Sequence, residues 1–341
     1  MLLGYMRNFI KPPIMAEITA RFCKAYGIDM VYILPSGVDM KKNKVTGKML
    51  LEDTWIEVTT DLPVFFDISP YCFKPKNKKI MDYLRKNTVL SDPRTNILSK
   101  DRLQEKLKED TNFAHLVIPT ENVIDIDSVD DFLEKFGSIV LKPLRGERGQ
   151  GVYILNKTGS EYILGYGKEE TTITHKELMK FVTRTVAERK YIMQKYINSR
   201  TSNGDPFDCR IHVEKNGQGQ WQVARKYIRI GIGQKVISNV NQGGGIADAD
   251  VFLKANFPNN WEEINVKLDE LGNSLPYKIE ELRGTSVMSL GMDVAIHGDG
   301  NLYIFEVNGA PATAALKAEA ALLRTQYYVY MLNRINNEQY K

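Results

Sequence analysis

Gly291-Met-Asp-Val-Ala-Ile-His-Gly-Asp-Gly-Asn-Leu-Tyr-Ile-Phe-Glu-Val-Asn-Gly-Ala-Pro311 reads as two strands folded back on a tight turn. Gly298-Asp-Gly300 supplies the turn, with Gly291–His297 and Leu302–Asn308 flanking it. Side chains two apart on a strand share a face, so Glu306 and Asn308 point one way while Phe305 and Val307 point the other. The hairpin brings Asp293 of the neighbouring strand alongside them. Three oxygen-bearing side chains on an otherwise apolar hairpin suit a hard cation such as magnesium, which takes carboxylate, amide-carbonyl and phosphate oxygens. An exposed polar hairpin face is the competing way to read the same residues.

Working outward, Ile139-Val-Leu-Lys-Pro-Leu-Arg-Gly-Glu-Arg-Gly-Gln-Gly151 is an apolar strand ending in a lysine, followed by a loop with Gly146, Gly149 and Gly151. Glycines let backbone N–H groups close on phosphate oxygens, and Lys142 can reach the same phosphates from the strand. The segment is neither a Walker loop nor a Gly-x-Gly-x-x-Gly fingerprint; taken alone it equally suits a plain hairpin loop. Cations accompany it: Lys100 opens a helix, and Arg210, Arg225 and Arg229 alternate with apolar residues on strands. Arginine can grip phosphate or carboxylate through two bonds at once, although each of these residues taken singly also suits a surface.

The rest of the chain places these segments. Residues 1–91 read as a small α/β lobe, with strands at Leu2–Met6, Met30–Leu34 and Leu62–Asp67, a short hairpin and return strand at Lys44–Lys48 and Trp55–Val58, and helices at Ile14–Tyr26 and Lys79–Lys86. A second unit, 92–197, has helices at Lys100–Glu109, Asp127–Phe136 and Thr174–Val186, and strands near Pro119, at Ser138–Pro143, Gly151–Leu155 and Tyr191–Ile197. In the third, 198–341, Cys209–Val213, Trp221–Arg225 and Val236–Val240 alternate as antiparallel strands, Leu268–Leu290 reads as a long helix and Ala312–Asn333 as a closing helix.

Composition narrows the class. The 46 Lys and Arg are dispersed among 42 acids, which argues against a general nucleic-acid binder; Lys74-Pro-Lys-Asn-Lys-Lys79 reads as a solvated loop before a helix. Three scattered cysteines, Cys23, Cys72 and Cys209, match neither a zinc spacing nor a disulfide framework. The opening Met1-Leu-Leu-Gly-Tyr-Met-Arg7 is too short for a signal peptide and no apolar run has membrane length, so a cytoplasmic location is expected.

The order Lys100, Lys142-Pro143 with its glycine loop, Gln194-Lys-Tyr-Ile197, Asp208-x-Arg210, Asn239-x-x-x-Gly243-Gly244, then Asp293, Glu306 and Asn308 resembles the ATP-grasp superfamily over residues 92–341. The N-terminal lobe, with Val38-Asp-Met40, Val45-Thr-Gly47 and Leu62-Pro-Val64, resembles the YheC/YheD family of endospore coat-associated ATP-grasp proteins. The Asp208-x-Arg210 and Gly-Gly elements are also similar to glutamate ligases that extend a ribosomal protein's tail. The resemblance implies a mixed α/β (α+β) ATP-grasp fold, with nucleotide held between two α+β lobes behind a small N-terminal α/β lobe. It further implies that Lys100 and Lys142 hold the α- and β-phosphates, that Gly146–Gly151 closes over ATP, and that the backbone of Gln194, Lys195, Tyr196 and Ile197 reads the adenine edge. Lys195 stands where an acid is common. Asp208 is implied at the ribose, Arg210 and Arg225 at the γ-phosphate and acyl phosphate, and Asp293, Glu306 and Asn308 as ligands of two magnesium ions, or manganese in their place.

An ATP- and magnesium-dependent carboxylate–amine ligase working through an acyl phosphate is the activity implied, with an amino acid or peptide as substrate. Two alternatives stay open: a non-catalytic spore-coat or envelope-associated protein, and an ATP-dependent phosphotransferase acting on a hydroxyl. Tyr71, Phe73, Arg145, Tyr227 and Asn241 are candidate walls of the acceptor pocket.

Overall fold

A computed structural model of the chain describes residues 1–144, 150–188, 190–232 and 244–339, of which 100, 101, 185–188 and 339 are described by backbone alone. Three sheets, met in turn along the chain, organise these residues.

The first is built from β1 (Leu2–Met6), α1 (Ile14–Ala25), β2 (Asp29–Ile33), β3 (Val38–Asp39), β4 (Lys44–Leu51), β5 (Thr54–Asp61), β6 (Phe65–Ile68), α2 (Lys78–Asn87) and β7 (Val89–Leu90). β2, β1, β6 and β7 run parallel in that order, and β3, β4 and β5 extend the sheet antiparallel beyond β2. Apolar runs such as Met30-Val-Tyr-Ile33 are what strands buried on both faces require.

The second contains α3 (Lys100–Lys108), β8 (Thr120–Asn122), α4 (Ile126–Phe136), β9 (Ser138–Pro143), β10 (Tyr153–Thr158), β11 (Glu161–Tyr166), β12 (Glu169–Ile173), α5 (His175–Glu188) and β13 (Tyr191–Lys195). Its sheet order is β12-β11-β10-β9-β13-β8. α4 starts where Asp125 and Ser128 cap each other reciprocally. Its core joins Leu133, Ile139, Leu141, Leu178 and Met193, which puts Val140, Lys142, Ile192 and Gln194 on the opposite face of β9 and β13.

The third holds β14 (Phe207–Lys215), β15 (Trp221–Ile230), β16 (Gly245–Asp248), α6 (Ala249–Asn256), α7 (Trp261–Arg283), β17 (Ser289–Ile296), β18 (Leu302–Asn308) and α8 (Lys317–Gln339). The sheet order is β16-β15-β14-β17-β18, antiparallel throughout. α6 and α7 cover one face through Phe252, Leu253, Leu268, Leu271 and Leu275 against Ile211 and Val213. Each fully buried leucine there contributes about 2 kcal/mol. α8 leaves this unit and packs on the first, where Tyr327, Tyr328 and Leu332 share a core with Cys23 and Tyr32. No helix among the described residues is long and apolar enough to cross a membrane.

Several elements depart from the sequence expectation. α7 spans Trp261–Arg283 rather than Leu268–Leu290: Gly284 takes the left-handed conformation at φ 60°, which stops the helix. Pro276 lies buried inside α7 without ending it. α8 begins at Lys317 rather than Ala312, because the preceding residues lie against β17, close enough that a Cβ on Gly291 would come within 2.7 Å of Pro311. β11, β12, β16 and α6 were not foreseen. The expected strand Val236–Val240 lies outside the described residues.

Candidate active site

All nine residues of β14 are buried, yet Asp208, Arg210, His212, Glu214 and Lys215 are ionisable. Burying charge is tolerated only where each group finds a partner, and here each does. Period-two alternation sends Cys209, Ile211 and Val213 toward α6 and α7 and puts Asp208, Arg210, His212 and Glu214 on the opposite face.

At one end of that face, charges of opposite sign alternate. Arg229 of β15 donates to both oxygens of Asp208 at 2.7 Å, and its Nη2 lies 2.9 Å from Asp293 Oδ2. Arg210 donates to both Asp293 oxygens, with Nη2 to Oδ2 at 2.9 Å. Asp293 is thus gripped from both sides by guanidinium groups, in a row Asp208–Arg229–Asp293–Arg210. Burial pulls the Arg229 guanidinium down, but Asp208 and Asp293 outweigh it and hold its pKa above the ordinary value. Tyr227, across the ladder from Arg210, has its phenol pushed up by burial.

β18 completes this end. Glu306 stands opposite Asp293 and Asn308 opposite Gly291, both half-buried. A bulge intervenes: Asp293 pairs with Glu306 but Val294 pairs with Ile304, so Phe305 is the extra residue. Phe305 therefore does not share a face with Val307, as strict alternation requires. It packs with Ile118, Ile197 and Ala295 where the second and third sheets meet, whereas Val307 joins the core beneath α7.

The remaining expected site residues are distributed as follows. Lys142 lies on the face of β9 away from its lobe's core, beside Ile192. Gln194 is buried, and its amide donates to the Thr120 hydroxyl at 2.8 Å. The Lys195 and Tyr196 N–H groups donate to the Pro119 and Ser138 carbonyls at 3.0 Å each, and Ile197 is buried between the lobes. Gly151 lies two residues before β10. Arg225 stands apart from the charged row: it donates to the Ala315 carbonyl at 2.5 Å and lies 3.8 Å from Glu319, with a side chain 42% exposed. Lys100 begins α3, but its side chain, Gly146, Gly149, Arg145, Asn241 and the Asn239–Gly243 element lie outside the described residues. Of the other wall candidates, Tyr71 lines a cavity and Phe73 stacks under Arg85.

The donor set can be judged on its chemistry. Asp293, Glu306 and Asn308 offer two carboxylates and an amide carbonyl, all hard oxygen donors, in cross-strand reach. No group of three or more His, Cys, Asp or Glu side chains suited to a metal assembles among the described residues. Such a set is too sparse to enclose an ion by itself and suits one that fills its shell with phosphate oxygens and water, as magnesium does.

Sequence reasoning missed the other end of the same face. His212 Nε2 and Glu214 Oε1 are 2.7 Å apart, Ser289 donates to Glu214 at 2.9 Å, and Arg324 of α8 donates to both Glu214 oxygens at 3.0 and 2.6 Å. Burial pushes the Glu214 carboxyl up, but Arg324 and the His212 contact prevail and hold it below the ordinary range. Alternation along Asp208–Glu214 is a signal that could have found His212 and Glu214; nothing local points to Arg324, 110 residues away.

The YheC/D like ATP-grasp family profile matches residues 92–334. The endospore coat-associated protein YheC of Bacillus subtilis is 24% identical over 335 residues, covering 94% of this chain and 90% of that relative. Among solved structures, the D-cycloserine synthetase DcsG superposes with a TM-score of 0.53 at 16% identity, covering 97% of this chain and 99% of its own. The ATP-grasp ligase PsnB, solved in complex with a minimal precursor, Mg and ADP, superposes with a TM-score of 0.54 at 13% identity, covering 96% and 97%. At these identities the likeness concerns the fold, which is the ATP-grasp fold.

Proposed function

Because the chain belongs to the YheC/D-like ATP-grasp family, we propose that it is an ATP-dependent ligase joining a carboxylate to an amine, with an amino acid or peptide among its substrates. The observation that carries this reading is the row Asp208–Arg229–Asp293–Arg210 running into Glu306 and Asn308 on one sheet face. Asp293, Glu306 and Asn308 would hold magnesium, which neutralises phosphate charge when bound with ATP. Arg210 and Arg229 sit where cations can take up charge spreading over the transferred phosphoryl oxygens. Lys100 and Lys142 are assigned to the other phosphates, Gln194–Ile197 to the adenine and Asp208 to the ribose side; Arg225, engaged with Ala315 and Glu319, is given no part at the phosphates.

The chemistry asks no covalent help of the protein. A carboxylate oxygen attacks the γ-phosphorus and ADP leaves. An amine then attacks the acyl carbon of the resulting acyl phosphate, phosphate leaves with the bonding pair and the amine loses its proton. The cysteines fit this absence of a nucleophile: burial pushes Cys23 and Cys209 up to about 12 and Cys72 up to about 11.

The test is ADP release with pooled amino acids and amines. Release that requires a carboxylate and an amine together supports ligation. Release with an alcohol alone, leaving a stable phosphate ester, identifies a phosphotransferase. No release from any pool, with ATP bound, supports a coat or envelope component without turnover.

A further inference from the structure

A cavity of about 310 Å³ lies where the first sheet meets the third. Arg7 follows β1, Ser69 follows β6 and Asp92 follows β7, so one wall is made at the carboxyl ends of parallel strands. The chain leaves β1 through α1 to β2 on one side, while β6 pairs on the other side. Strand order reverses there, and the loops part to leave a crevice. The opposite wall comes from Ser289 at the start of β17, Gly309–Thr313 directly after Asn308, and Arg324. The crevice therefore ends at the residues assigned to the metal.

Its polar groups carry both signs. Arg7 lies 3.6 Å over the Tyr5 ring and 3.0 Å from Asp67. Asp67 also accepts from the Tyr328 hydroxyl at 2.5 Å. Burial raises the Asp67 carboxyl, but Arg7 and Arg324 outweigh it and hold it below the ordinary carboxylate range. Arg324 commits Nε and Nη2 to Glu214 and Ser289, while its Nη1 makes no hydrogen bond among the described residues. Asp92 accepts from Arg283 at 2.8 Å on the far side. Two guanidinium groups and two carboxylates thus face a small space whose other walls include Met15, Met288 and Pro311.

Each property excludes a class of occupant. The volume is at the small end for ligand sites, roughly 300–1,000 Å³, which leaves room for an amino acid rather than an extended peptide. Asp67 is already matched by Arg7 and Asp92 by Arg283, so the crevice is close to neutral and disfavours an occupant with net charge, while the unbonded Arg324 Nη1 suits a carboxylate. An ionic side chain would have no partner among the apolar walls. We infer that this crevice binds a free α-amino acid with an uncharged side chain, its carboxylate directed to the Arg324 pole and its ammonium to the acidic pole. This rests on the ligase reading and narrows its substrate from amino acid or peptide to the free zwitterion. Phe9 and Tyr71, 55% and 57% exposed, flank the mouth and meet the side chain.

The experiment is calorimetry on the full chain, with ATP binding measured first. The probes are leucine, methionine, serine, glutamate and lysine in both enantiomers, leucine methyl ester, N-acetyl-leucine and trileucine. The expected result is saturable binding of at least one uncharged amino acid, weakened tenfold or more by esterification and by N-acetylation alike. Arg324→Lys should weaken it at least tenfold with ATP affinity unchanged. Should that variant fail to fold, Tyr71→Ser, at an exposed position, should change the ranking among side chains with the melting temperature unmoved. Tighter binding of glutamate, lysine or trileucine overturns the assignment, and so does binding of none while ATP still binds. A chain that binds no ATP overturns the ligase reading instead.

Discussion

One face of one sheet carries two ionic clusters, and they differ in what covers them. At the Glu214 end, His212, Glu214, Ser289 and Arg324 are all buried, with α8 laid across them. At the Asp293 end the same pairing of arginine with carboxylate recurs, but its edge strand supplies half-buried Glu306 and Asn308, and among the described residues no helix seals it. Where Glu214 is enclosed and matched on every side, its role is to hold the chain together, and only the Nη1 edge of Arg324 looks out into the neighbouring crevice. A cluster that stops at a half-open edge can exchange its partners for a ligand's. The same chemistry thus forms a clasp between α8 and β14 at one end, and at the other the site we propose for phosphate and metal.

The largest effect on activity is expected at the open end. Glu306→Gln should lower ATP turnover about a thousandfold, while melting stays within about 3 °C of wild type; differential scanning calorimetry beside an ADP assay reads both, and full activity removes Glu306 from the metal set. The reverse pattern is expected at the sealed end. Glu214→Gln leaves the Arg324 charge in a site with no exposure on the Glu214 side and should cost about 3 kcal/mol of stability, with ATP affinity preserved; urea unfolding with unchanged midpoint would show that the clasp carries no load.

How far these two ends could be seen in the sequence differs for a physical reason. The β17–β18 hairpin is legible because Gly298-Asp-Gly300 and period-two alternation are local, and the turn fixes which acids meet. The bulge at Phe305 was hidden, since a strand's sequence does not state where its partner slips. Gly284 weakens the helical reading of Leu268–Leu290 without ending it, because apolar spacing resumes beyond it in Val287, Met288 and Leu290, which are buried as strand and approach rather than helix. The clasp was invisible: Glu214 and Arg324 lie on a strand and a helix joined only by tertiary packing. The crevice at Arg7 and Asp67 was missed likewise, its walls coming from both ends of the chain.

Smaller effects sharpen the contrast. Lys142→Ala should weaken ATP binding by about 2 kcal/mol, roughly thirtyfold in Kd, the scale of a hydrogen bond to a charged group; unchanged affinity by calorimetry would place Lys142 outside the nucleotide site. The acid limb of stability should belong to the sealed groups. Glu214 and Asp67 both have lowered pKa values in the folded chain. Their contribution is therefore present above the ordinary carboxylate range near pH 4 and is lost as pH falls through the folded values. Unfolding free energy should decline below about pH 4, less steeply in Glu214→Gln; an identical slope would assign the acid limb to other groups.

Whether the half-open end performs acyl phosphorylation is best decided by trapping the intermediate. Single turnover with ATP, magnesium and a competent carboxylate, quenched into hydroxylamine in place of the amine, should yield a hydroxamate from the wild type. Arg210→Lys keeps the charge but loses the two-pronged grip, so it should bind ATP almost normally and form hydroxamate about a hundredfold more slowly, because the interaction is made mainly in the transition state. Hydroxamate formed at the wild-type rate by the variant, or no hydroxamate from the wild type with any carboxylate that stimulates ADP release, would contradict that assignment.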